Sequence, residues 1–63
     1  PDVSLGVFVE VVDTYLALKQ LSERERGKVR QYAITEKRDG NDRDIDILER
    51  VVAMVEDPSR GDV

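Results

Sequence analysis

The sequence predicts an all-α fold: three helices in one small unit, packing as a helical homodimer. Three observations carry this. Apolar residues recur at the helical period in two long stretches. A serine–glutamate capping signature and a glycine-centred break cut the chain into three segments. The apolar arcs of the first and third segments are wider than so short a chain can cover by itself.

The first segment, VSLGVFVEVVDTYLALKQL, begins like a strand, with Val3, Leu5, Val7, Val9 and Val11 alternating. Phe8 and Val12 break that alternation. At about 100° per residue, Leu5, Val7, Phe8, Val9, Val11, Val12, Tyr15, Leu16 and Leu18 fall within an arc of about 200°. Gly6, Glu10, Asp13, Thr14, Ala17 and Gln20 share the opposite side. This predicts a helix over about residues 4–21, with Ser4 as its N-cap.

Ser22-Glu23-Arg24-Glu25 has the form of a capping box, a hydroxyl at the N-cap and a carboxylate three residues on. It opens a second helix over about residues 22–38, with Glu23 and Glu25 in the first turn and Lys37 and Arg38 in the last, as the helix dipole favours. Its apolar stripe is thin: Val29, Tyr32 and Ala33, with Ile34 to one side. Neither Gly nor Pro stands at the Leu21–Ser22 junction, so the first two helices meet in a tight bend or run nearly straight through.

Asp39-Gly40-Asn41 breaks the chain again, Gly40 suiting the left-handed position after a helix. A third helix is predicted over about residues 42–56, stopping before Pro58. Ile45, Ile47, Leu48, Val51, Val52, Met54 and Val55 fill about half its circumference. Residues 1–57 read as one helical domain and 58–63 as a flexible tail.

Composition restricts the chemistry. A chain of 63 residues buries only about 60% of the surface its unfolded form exposes, so its core needs support. Cysteine is absent, which removes disulfides and thiolate metal sites. Histidine is absent too, so no imidazole is there to activate a hydroxyl or ligate a metal. The acids Asp39, Asp42, Asp44 and Asp46 do not make a calcium loop: counted from Asp42, positions 6 and 12 are Ile47 and Ala53, and counted from Asp39, positions 5 and 12 are Arg43 and Arg50. They read as helix-start acids, placed where unpaired N–H groups and the dipole favour negative charge. Neither an enzyme nor a cofactor or metal site is expected. No apolar run approaches the roughly 20 residues of a membrane span, and no secretory signal pattern is present, so a cytoplasmic protein without membrane contact is the expectation.

The net charge of −4 is unevenly spread. Residues 1–18 carry −3, residues 19–38 carry +4 and residues 39–63 carry −5. The basic second helix is the candidate for nucleic acid, through Arg24, Lys28, Arg30 and Arg38. An acidic chain lacks the domain-wide basic footprint usual for that role, which makes it the alternative reading. The run LSERER at residues 21–26 resembles the opening of the helix-turn-helix domain of LuxR-type regulators, over those six residues alone. The residues that follow lack the short turn and second helix that family would show. The RGD at residues 60–62 is the integrin tripeptide, without any secretory feature beside it.

The width of the apolar arcs carries the functional expectation. A helix packing on one neighbour needs a stripe of roughly 100°, and the first helix shows about twice that. The expected reading is a small interaction module (an adaptor, inhibitor, chaperone or regulatory subunit) that pairs with itself or with a larger protein. The partner-binding residues are taken as Val7, Val11, Tyr15 and Leu18 on the first helix and Ile47, Val51 and Met54 on the third. Leu5, Val9, Val12 and Leu16, with Ile45, Leu48 and Val52, are then expected to face inward.

Overall fold

The computed structural model describes residues 2–57. The expected tail, Pro58 and the RGD tripeptide lie outside the described residues. The chain forms three α-helices, α1 (Leu5–Leu18), α2 (Glu23–Asp39) and α3 (Asp44–Val55), with no strand among the described residues.

Each boundary has a local cause. The Ser4 hydroxyl accepts the Val7 N–H at 3.3 Å and starts α1. Periodicity alone extended this helix to residue 21, but it stops at Leu18 because Gln20 turns into the left-handed region, with φ 56°. The Gln20 N–H bonds back to the Ala17 carbonyl at 3.0 Å. This turn folds Leu21 into the same core as Leu16, the hydrophobic closure common at helix ends. A non-glycine residue thus makes the tight bend that the sequence left open.

Ser22 caps α2 as its sequence signature predicts, its hydroxyl accepting the Glu25 N–H at 3.2 Å. Gly40 ends α2 with φ 73°, where a side chain would be strained. α3 opens two residues later than expected. Its N-cap is Arg43, whose side chain makes no capping bond. The carboxylate of Asp2 supplies one, accepting the Asp44 N–H at 3.1 Å from 42 residues away. In return, the Asp44 carboxylate accepts the Val3 N–H at 2.9 Å.

α2 packs against both other helices, while α1 and α3 meet more sparingly. The core is Phe8, Val12 and Leu16 from α1, Leu21 from the bend, Val29 and Ala33 from α2, and Ile47, Val51 and Val55 from α3. Tyr15, Tyr32 and Leu48 pack against its edge. Two of the expected partner-binding residues are therefore core residues. Ile47 is 0% exposed and Val51 1%. The apolar arc of α3 points its middle, not its edge, at α2. Ile45 and Val52, expected inside, are thereby turned out to 54% and 41% exposure.

Candidate interaction surface

Four expected residues are brought together on α1. Val7, Val11, Tyr15 and Leu18, with Glu10 and Thr14, line one shallow depression along its outer side. The spacing of 7, 11, 14 and 18 keeps these positions on one line, because steps of four and three residues nearly complete a turn. Val7 and Val11 are each 47% exposed and Leu18 is 76% exposed. Tyr15 sits between this line and the core, half-buried against the edge of the core cluster.

Val11 also walls a second cleft of about 390 Å³, which runs between the N-terminal halves of α1 and α3. Val3, Phe8, Ile45 and Leu48 complete its apolar lining, and Asp2, Arg43 and Asp44 its polar rim. The two depressions share Val11 and so form one surface. Val52 continues the line of Ile45 two helical turns further along α3. Ile45 and Val52 were missed as surface residues, since periodicity does not say which part of a wide arc faces inward, whereas Leu48 packs against the core as expected while also lining the cleft.

Met54 does not join this surface. It is 39% exposed, on the other flank of α3, and lines a separate pocket of about 160 Å³ with Leu21, Lys28 and Val29.

Ion pairs fix the helices that frame the surface. Glu56 at the end of α3 accepts the Tyr15 hydroxyl at 2.9 Å and lies 2.8 Å from the Lys19 ammonium. These two hydrogen bonds, Lys19 first, lower the carboxyl below its usual range. Burial and then the Glu56 carboxylate push the Tyr15 phenol up. At the opposite end, Lys37 of α2 meets Asp44 at 2.7 Å and lies 5.1 Å from the centre of the Phe8 ring. Arg43 makes a two-pronged contact with Asp46, at 3.1 and 3.3 Å.

The basic residues of α2 divide into two sets. Arg30, expected to be available to a nucleic acid, is instead held by Asp13 of α1. Arg24, Lys28 and Arg38 are exposed and make no ion pair among the described residues. With Gln31 and Thr35, which bond to each other at 3.4 Å, they form one polar row on the outer side of α2. No cluster of three or more His, Cys, Asp or Glu residues suited to a metal ion occurs among the described residues. No helix among them is long and apolar enough to cross a membrane. No protein-family model, curated protein or solved structure matches the chain.

Proposed function

We propose that this chain is a protein–protein interaction module that works by packing the α1/α3 apolar surface onto an apolar face of a partner. The observation that carries the reading is the exposure of Val7, Val11 and Leu18 in a helix whose own core is already filled by Phe8, Val12 and Leu16. Burying such side chains is worth about 25 cal/mol per Å² of apolar area, enough to drive association once several are covered together. An adaptor, inhibitor, chaperone or regulatory subunit in the cytoplasm would use the surface in this way, without chemistry of its own. The occupant is either a second copy, giving the homodimer expected from sequence, or a helix of a larger protein.

Light scattering together with capture of interacting proteins tests this. Val11→Asp and Leu18→Asp place a charge in the surface without touching the core, and Glu23→Ala on α2 is the control. Loss of self-association or of specific capture in the two Asp variants alone supports the reading. Unchanged behaviour of both variants in both measurements overturns it.

The second reading is a nucleic-acid-binding regulator. It is favoured by the exposed row of Arg24, Lys28 and Arg38, which make no ion pair among the described residues. Its signature is binding to duplex DNA or RNA that falls steeply as salt rises. Absence of binding at low salt eliminates it.

A further inference from the structure

The charges beside the α1/α3 surface identify its occupant more closely, on the reading that this surface is where the chain binds. Three acids border it without an ion pair among the described residues: Asp2, Glu10 and Glu49. Glu10 lies on the α1 depression itself. Glu49 is exposed one turn beyond Ile45 and one turn before Val52 on α3. The cations nearby are each paired, Arg43 with Asp46 while also within the field of Asp2 and Glu49, Lys19 with Glu56 and Lys37 with Asp44. The apolar surface therefore has an acidic border with no unspent positive charge.

The unspent positive charge lies elsewhere. Every cation without an ion pair among the described residues (Arg24, Arg26, Lys28 and Arg38) is on α2. A second copy has three surfaces to offer, and none fits: its Met54 flank exposes Met54 alone among large apolar side chains, with Leu21, Val29 and Val55 buried around it. Its own α1/α3 surface would bring acids to acids. Its α2 row, Arg24, Lys28, Gln31, Thr35 and Arg38, holds no apolar residue to fill the cleft.

We infer that the α1/α3 surface receives an amphipathic helix from another protein, one whose apolar stripe is flanked by Lys or Arg. The stripe covers Val7, Val11 and Leu18 and enters the cleft beside Ile45 and Leu48. The basic flanks meet Glu10 on one side and Glu49 on the other. Complementary rim charges choose the partner and its orientation, while the apolar stripe supplies the affinity.

The experiment uses two labelled model peptides of about four helical turns, a length matched to α1. Both carry Leu along one face; one has Lys on both flanks and its twin has Glu. Fluorescence anisotropy should show the Lys peptide binding about tenfold tighter, with the gap closing as salt rises. The double variant Glu10→Lys/Glu49→Lys should reverse the order, and Glu10→Gln/Glu49→Gln should erase it. Both pairs are exposed and should leave the circular dichroism spectrum unchanged; should the Lys variant unfold, the Gln variant decides. Equal binding of the twins, or a preference that survives the Gln variant, overturns the inference. So does a stable dimer at micromolar concentration that Val11→Asp dissociates, which would leave the interaction surface standing with a second copy as its occupant. If Val11→Asp alters neither peptide binding nor self-association, the underlying reading of the surface fails instead.

Discussion

Lys37 and Asp44 form the most sheltered ion pair among the described residues, 2.7 Å apart with each side chain 13% exposed. Their contact joins the last turn of α2 to the first turn of α3, across the Gly40 bend. The Asp44 carboxylate also accepts the Val3 N–H, so one acid ties together the N-terminal segment, α2 and α3. Hydrogen bonds to a charged group contribute more than neutral ones, and here the exposed alternative is largely closed off. Asp44→Ala should therefore lower stability by about 2 kcal/mol in urea unfolding. Lys37→Met, which leaves the Val3 bond in place, should cost about half as much.

Acid should weaken the fold through the same contacts. For Asp44, burial is the largest influence and pushes its carboxyl upward, but the bonds from Lys37 and Val3 outweigh it, and the net effect is a lowered value. Asp46 is lowered by Arg43, and Glu56 by Lys19 and Tyr15. Groups lowered by folding stabilise it above their unfolded values, near about 4, and that contribution is lost as pH falls through the folded values. The urea midpoint should hold steady above about pH 5 and drop below about pH 4. Asp44→Asn should flatten this acid limb more than Asp46→Asn, whose pair with Arg43 is open to solvent and screened. Equal flattening by the two would contradict the central place given to Asp44.

The two sides of α3 should respond oppositely to truncation. Ile47 is wholly buried, and removing its side chain leaves a cavity costing about 3 kcal/mol. That is a large share of the stability of a domain this small, so Ile47→Ala should unfold at a much lower denaturant concentration or fail to fold. Ile45→Ala, at a site 54% exposed, should change stability by roughly 0.5 kcal/mol or less. Comparable losses at the two positions would mean that α3 is rotated from the orientation described.

Backbone conformation separates two glycines. Gly27 lies inside α2 with nothing within 4 Å of an added Cβ, so Gly27→Ala should stabilise by about 0.5–1 kcal/mol. Gly40 has equal space around it but φ 73°, so Gly40→Ala should destabilise by about 1–2 kcal/mol. Thermal melts of the pair should move in opposite directions.

Local chemistry was readable where it acts over a few residues. Ser4, Ser22 and Gly40 stand at helix ends because a hydroxyl three positions before an N–H, or a residue without a Cβ, meets a local demand. Of the four acids read as a helix start, Asp44 and Asp46 lie in the first turn of α3, but Asp39 closes α2, and the sequence did not show that Asp44 serves two other segments or that Asp2 caps its helix. The Val3–Asp44 and Asp44–Asp2 bonds span more than 40 residues, and no short pattern encodes them. Likewise Arg30 and Arg24 are alike in sequence. Only the approach of Asp13 on α1 makes one an internal partner, while the other has no ion pair among the described residues.

By itself the sequence determined that the chain is helical, that Ser4, Ser22 and Gly40 stand at helix ends, and that two of the helices carry more apolar perimeter than one neighbour can cover. The tertiary structure alone decided which part of each perimeter is surface: Val7, Val11 and Leu18 outside on α1, as expected, but Ile45 and Val52 outside on α3 in place of Ile47 and Val51. Periodicity fixes the angles between side chains around one helix, and those angles do not change when the whole helix is turned about its axis. The direction in which the arc finally points is set by the helices packed against it, here by α2 lying across both of the others.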